Sequence, residues 1–245
     1  MTSSSATPYA PRSGRILRLA GGALPNFPPQ NLTVATTGAS GSVFLRHLLF
    51  AVERDRRIQT VNFIASDSAL RVMAEELGVR GRANLIQQIL SSDKPSLNPP
   101  AKAAPDDRPS KIPKNKIKIK EQSNADIGAN VASGSYPADA MVVLPCSVGT
   151  LARIANGVAS QLIERAADVC LKEKRPLVLC VRETPLSKIH IRNLYRAADA
   201  GATIFPLIPA FYFRPITLDE MAREFAYRVL SHLGLAQPDA FRWKG

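Results

Sequence analysis

Apolar positions along this chain follow two periods that alternate from residue 32 onward. Short continuous apolar runs at 32–35, 61–65, 140–144, 176–181 and 203–206 are separated by longer stretches in which apolar residues return every three or four positions. The short runs predict strands buried on both faces, and the longer stretches predict amphipathic helices. Helices are expected at 43–53, 67–77, 148–158, 162–172, 187–200 and 217–233, the second with Ala69, Val72, Met73 and Leu77 on one side. Gly201 closes the fifth, and Thr217 with Glu220 makes a capping box for the last. The alternation predicts an α/β protein, a Rossmann-like three-layer sandwich with a mostly parallel sheet flanked by helices.

Open parallel sheets bind ligands beyond the carboxyl ends of their strands. The residues just past each apolar run therefore matter most. They are Gly38-Ala39-Ser40, then Ser66, then Pro145-Cys146-Ser147-Val148-Gly149-Thr150, then Arg182-Glu183-Thr184-Pro185, and finally Pro209-Ala210-Phe211-Tyr212. Parallel strands would bring all five loops to one edge. The run Thr37-Gly38-Ala39-Ser40-Gly41-Ser42 has the composition of an anion cradle, with small residues for close approach, hydroxyl donors and a helix start behind them. Its spacing is not Gly-x-Gly-x-x-Gly, and no Lys completes a Walker loop. A plain strand-to-helix turn has the same composition, and Ser147 fits a simple N-cap. The agreement of five loops is what favours a site. Arg182 beside Glu183 adds a fixed cation and an acid or base to the same rim.

Charge changes this picture little. The net charge is +12 over 245 residues, but residues 1–30 carry +3 and residues 91–120 carry +5, so +8 lies in two Pro-rich segments. The expected organisation is a disordered N-terminal extension (1–30), one domain (31–235) with a basic variable linker (91–120), and a C-terminal tail (236–245). A charge so placed argues against a nucleic-acid face. No run of eighteen apolar residues is present, so no membrane span is expected. Five prolines interrupt any targeting helix in the first thirty residues. Cys146, Cys170 and Cys180 read as reduced, buried thiols of a cytoplasmic protein, and His47, His190 and His232 lack metal-ligand spacing. No metal is expected.

The loops above, with Leu162-Ile163-Glu164-Arg165-Ala166-Ala167-Asp168 and Leu171-Lys172-Glu173-Lys174-Arg175-Pro176, resemble the UbiX-type flavin prenyltransferases of the homo-oligomeric flavin-containing Cys decarboxylase-like fold. The resemblance covers residues 32–243 apart from the linker. It implies transfer of a dimethylallyl group from dimethylallyl phosphate to reduced FMN. The prenylated FMN would serve UbiD-type decarboxylases in ubiquinone biosynthesis or aromatic acid decarboxylation. It also implies a homo-oligomer, trimers assembled to a dodecamer, with some residues serving a neighbour's site. Gly38, Ala39, Ser40, Ser66, Ser147, Val148, Gly149, Thr150, Arg165 and Arg182 match FMN-binding positions. Lys172, Arg182, Glu183, Tyr212, Arg228 and Trp243 match prenyl-phosphate positions. Glu183, Ser40, Glu76 and Lys172 match catalytic ones. The residue types suit the chemistry, because cations stabilise a departing phosphate and Glu183 can move a proton. One departure is Asp126-Ile127-Gly128, where other members carry a tryptophan ahead of the segment matching Ser133-Gly134-Ser135. Two other readings stay open: an FMN-dependent decarboxylase of the Cys-decarboxylase group, for which His47 is the one first-helix histidine, and a non-catalytic FMN carrier.

Overall fold

The computed structural model describes residues 28–91 and 118–243. The elements run β1 (Asn31–Thr36), α1 (Ser42–Arg54), β2 (Thr60–Ala65), α2 (Asp67–Leu77), α3 (Leu85–Ser91), β3 (Ile119–Ser123) and a 3-10 turn (Asn130–Ala132). They continue with β4 (Ala140–Cys146), α4 (Val148–Ala155), α5 (Leu162–Lys172), β5 (Leu177–Val181), α6 (Lys188–Asp199), β6 (Thr203–Ile204) and α7 (Leu218–His232). The strands pair in parallel in the order β3-β2-β1-β4-β5-β6. The chain builds outward from β1 to β3, then returns beside β1 and builds the other way. This places a topological switch between β1 and β4, where a crevice opens at the carboxyl edge.

Strand side chains alternate between two cores, as the period of two requires. Leu32, Val34, Val61, Phe63, Val142 and Leu144 pack with α1, α2, α3 and α7 on one face. Ala35, Ile64, Met141, Val143, Leu177 and Leu179 pack with α4, α5 and α6 on the other. Both faces of the sheet are therefore dry, which explains why its central strands read as unbroken apolar runs. Every predicted strand and helix is present, with α2 and α5 at the predicted bounds, but α4 ends at Ala155 rather than at 158.

Two elements were not anticipated, α3 and β3. β3 is an edge strand in which only Ile119 is buried, so it shows no alternating pattern, and its first two residues fall within the expected linker. Lys at a sheet edge is ordinary protection against further strand pairing. Lys118, just before β3, donates its ammonium to the Asp55 carbonyl at 2.6 Å and the Ile58 carbonyl at 3.2 Å, and burial lowers its pKa. Part of the linker's charge thus belongs to the folded body. The rest of that segment, residues 92–117, and most of the expected N-terminal extension lie outside the described residues. Residues 236–243, expected as a tail, lie back along α7. Gln237 donates to Asp55 Oδ2 at 3.0 Å, the Tyr227 hydroxyl donates to Asp239 at 3.1 Å, and the Phe241 N–H donates to Glu224 Oε2 at 2.9 Å.

Candidate functional site

The first and third loops are stitched together by Thr37. Its buried hydroxyl donates to the Pro145 carbonyl at 3.0 Å and accepts the Ser147 N–H at 2.7 Å, while its own N–H also reaches Pro145 at 3.1 Å. The second loop closes against the first, because a Cβ on Gly38 would sit 2.5 Å from Ser68 Cβ. Gly38 is thus a close-approach glycine. Ser66 caps α2 by accepting the Ala69 N–H at 3.1 Å, and Ser147 caps α4 through Thr150. Gly38, Ala39, Ser40, Ser66, Ser147, Val148, Gly149 and Thr150 therefore meet along three adjacent strand ends.

The start of α1 differs from the expected open anion cradle. Gly41, at φ 124°, forms its N-cap without a side-chain cap bond of its own. The Glu76 carboxylate on α2 fills that place, accepting the Ser42 N–H at 2.6 Å and the Gly41 N–H at 3.0 Å. Burial alone would raise the Glu76 pKa. Hydrogen bonds from the Ser40 hydroxyl and from Ser42 and Gly41 outweigh it and hold the group below 4.5. The helix start is thus neutralised within the chain, with Ser40 tied to the same carboxylate.

A cavity of about 340 Å³ opens between the ends of β2, β3 and β4. Of the predicted residues, Ser66, Ser147, Gly149 and Thr150 line it. Ser68, Asn124, Arg153 and Glu164 line it too and were not anticipated. Arg153 and Glu164 lie within helices rather than in loops. The one available signal was Glu164, a charged residue at a core-facing position of α5 between Ile163 and Ala167. The hydroxyl-rich wall with a guanidinium at one side fits a phosphorylated polyol such as the tail of FMN.

The remaining candidates divide by position. Arg182 and Glu183 follow β5 on the rim, both exposed, with the Arg182 N–H held by the Cys146 carbonyl at 3.1 Å. Lys172 ends α5, in contact with Glu173 and beside Gly134. Because α5 feeds β5, Lys172 lies at the amino edge, roughly 16 Å along the strand from Arg182. Arg165 turns away from the cavity, donating to the Ala132 carbonyl at 3.1 Å and to Asp168 at 2.7 Å. Arg228 is exposed on α7. Tyr212 packs its ring 5.7 Å from that of Trp243 and 5.3 Å from Phe241. The exposed Ile127 lies just past β3. Within one chain, then, the FMN candidates are brought together except Arg165, whereas Lys172 stands apart from Arg182 and Glu183.

Two other groups are accounted for. His47 contacts Asp219 at 2.9 Å in the α1–α7 packing, and its pKa is lowered by burial. Cys146 borders the site but is fully buried, and burial pushes its thiol up to about 12, so it stays protonated at neutral pH. Among the described residues, no group of three His, Cys, Asp or Glu side chains could hold a metal ion, and no helix is long and apolar enough to cross a membrane.

A doubly wound parallel sheet with a hydroxyl-lined cavity at its switch point defines an α/β protein of the mononucleotide-binding kind. Residues 25–222 match the family described as Flavoprotein. The flavin prenyltransferase UbiX of Pseudomonas aeruginosa is 38% identical over 217 residues, 88% of this chain and 94% of that protein. The UbiX of Salmonella typhimurium is 52% identical over 122 residues, 49% of this chain and 65% of that protein, a match spanning just under two thirds of the relative. Among solved structures, AnUbiX (PadA1) in complex with FMN and dimethylallyl pyrophosphate superposes with a TM-score of 0.71 at 32% identity, covering 88% of this chain and 98% of that one. A dodecameric FMN-dependent UbiX-like decarboxylase from Escherichia coli O157:H7 gives the same TM-score and identity, covering 88% of this chain and 100% of that one. The chain belongs to the flavoprotein family and, within it, to the UbiX flavin prenyltransferases.

Proposed function

We propose that this protein joins the dimethylallyl group of dimethylallyl phosphate to reduced FMN, releasing phosphate and supplying prenylated FMN to a UbiD-type decarboxylase in the cytoplasm. The observation that carries this reading is the junction of a hydroxyl-lined cavity at the ends of β2 and β4 with the Arg182–Glu183 rim of the next strand, β5. The family relationship supports it. When bound, reduced FMN supplies the nucleophile. Everything else falls to the chain's own groups.

Ser66, Ser147 and Thr150, with the backbone at Gly38 and Gly149, bind and orient the flavin. Ser40, held by the ionised Glu76, presents a hydroxyl whose proton can pass to that carboxylate. Arg182 stabilises charge on the departing phosphate, and Glu183 beside it moves the proton that accompanies departure. Lys172, Arg228, Tyr212 and Trp243 complete the phosphate pocket from neighbouring copies in a homo-oligomer. This accounts for the placement of Lys172 at the edge opposite Arg182, and for Tyr212 and Trp243 standing 60% and 73% exposed. Arg165 braces the 129–135 segment through the Ala132 carbonyl rather than touching the cofactor.

Purified protein incubated with reduced FMN and dimethylallyl phosphate, followed by mass spectrometry of the flavin, tests the reading. A gain of one five-carbon unit is expected. Tight FMN binding with unchanged flavin would make the protein a carrier. Release of carbon dioxide from a peptidyl or pantothenoyl cysteine would assign it to the cysteine decarboxylases instead.

A further inference from the structure

Glu164, in the first turn of α5, keeps only 2% of its side chain exposed at the wall of the cavity. Its Oε1 accepts Arg153 Nε at 2.6 Å, but its Oε2 is buried and has no hydrogen-bond partner among the described residues. A buried carboxylate oxygen without a donor costs stability unless something entering the cavity supplies a proton. Arg153 is likewise half engaged. Its Nη2 reaches Thr150 Oγ1 at 3.2 Å, while Nη1 makes no hydrogen bond among the described residues and stands 3.8 Å from where a Cβ on Gly149 would lie.

The surroundings give the two free atoms different tasks. The start of α4, which adjoins Arg153, has no acidic residue in its first turn. By contrast, α2 carries Asp67 there and α1 is met by Glu76. A positive helix start and a guanidinium on one wall favour an anion. A carboxylate oxygen deeper in the same wall favours a hydroxyl donor, and Arg153 standing between the two screens it from the anion. We propose that Arg153 and Glu164 form the subsite for the phosphorylated polyol tail of the flavin, with Arg153 Nη1 taking a phosphate oxygen and Glu164 Oε2 accepting a ribityl hydroxyl. The assignment rests on the FMN reading given above and makes the pair a determinant of FMN over riboflavin.

Titration of FMN, riboflavin and lumiflavin against the full chain, followed by flavin fluorescence, separates the two contacts, because riboflavin lacks the phosphate and lumiflavin lacks the whole tail. Arg153→Ala should weaken FMN by about tenfold to a hundredfold while leaving the other two within about twofold. Glu164→Leu, which offers a ribityl hydroxyl neither an acceptor nor a donor, should weaken FMN and riboflavin by about tenfold each and leave lumiflavin unchanged. Arg153→Lys, which retains the charge, should keep part of the preference for FMN and covers an alanine variant that fails to fold. Equal losses across the three flavins, or none, would overturn the assignment by making the pair structural or idle. Competition of excess dimethylallyl phosphate with FMN would overturn it as well, by giving Arg153 to the prenyl donor. Wild-type protein that binds no flavin would sink the FMN reading itself, whereas FMN binding indifferent to both substitutions would sink only this inference.

Discussion

Glu76→Ala is expected to destabilise the protein through the start of α1. The carboxylate accepts the backbone N–H of Ser42 at 2.6 Å and of Gly41 at 3.0 Å, and no other side chain caps that helix. Hydrogen bonds to a charged group are worth about 1.5 kcal/mol each at the low end, and the charge at a helix start adds about 0.5 kcal/mol. The half-buried setting argues for these low ends, giving a loss of about 3.5 kcal/mol. For a chain of this size that corresponds to a fall of roughly 7–14 °C in Tm. Glu76→Gln keeps an acceptor but not the charge, and should lose about a third as much, about 1 kcal/mol. The sign with pH follows from the folded pKa lying below 4.5. The stabilisation is complete above the unfolded value and is lost as pH falls through the folded one. Urea denaturation of wild type and Glu76→Gln at neutral pH and near pH 3 measures both effects. Equal stability of the two at neutral pH, or a gap that persists unchanged in acid, would refute the capping role.

Asp55 is held down to about 2, since hydrogen bonds from Arg57 and Gln237 outweigh burial, so Asp55→Asn should cost about 2 kcal/mol at neutral pH. In denaturation curves that gap should close as pH drops from 3.8 toward 2. Gly38→Ala places a methyl 2.5 Å from Ser68 Cβ and should cost about 1–3 kcal/mol and weaken FMN; an unchanged melting curve and FMN titration would contradict the close approach. Lys172→Ala and Arg182→Ala should each abolish turnover alone. Mixed and reassembled subunits should then recover about a quarter of wild-type activity if each site takes its lysine from another copy, and none if both residues act within one chain.

How much of this was legible in the sequence depended on how local each signal was. The bounds of α2 and α5 could be read because their apolar spacing is regular and Gly78 and the Lys172-Glu173-Lys174-Arg175 run stop them. β3 could not, since an edge strand buries one residue of five and shows no alternation to read. The hydroxyl loops were legible because the carboxyl-edge rule converts strand order into spatial neighbourhood. Arg153 and Glu164 were not, because they meet only when α4 packs beside α5, and an eleven-residue separation carries no local period. Glu76 stands out by the family resemblance, but its partnership with the start of α1 is a tertiary contact between the first two helices that no local pattern carries. The separation of Lys172 from Arg182 followed from nothing local either: only nine residues, 173–181, lie between them, yet β5 among them spans the sheet.

Three helices begin at the carboxyl edge beside the switch point, and only one is free to receive an anion. The start of α1 is met by Glu76, so a phosphate there would face a carboxylate already holding the available N–H groups. The start of α2 carries Asp67, which is 88% exposed and engaged with Arg82 at 2.6 Å. At α4 the first turn holds no acid, Ser147 satisfies one donor from its own side chain, and Arg153 stands one turn further along. The Gly/Ser run after β1 looks like a phosphate cradle by composition, but electrostatics favour the loop after β4 for that duty, as proposed above. On the proposed function the first loop would approach the flavin with its backbone and with Ser40, whose hydroxyl is committed to Glu76 and so suits proton transfer better than holding a phosphate.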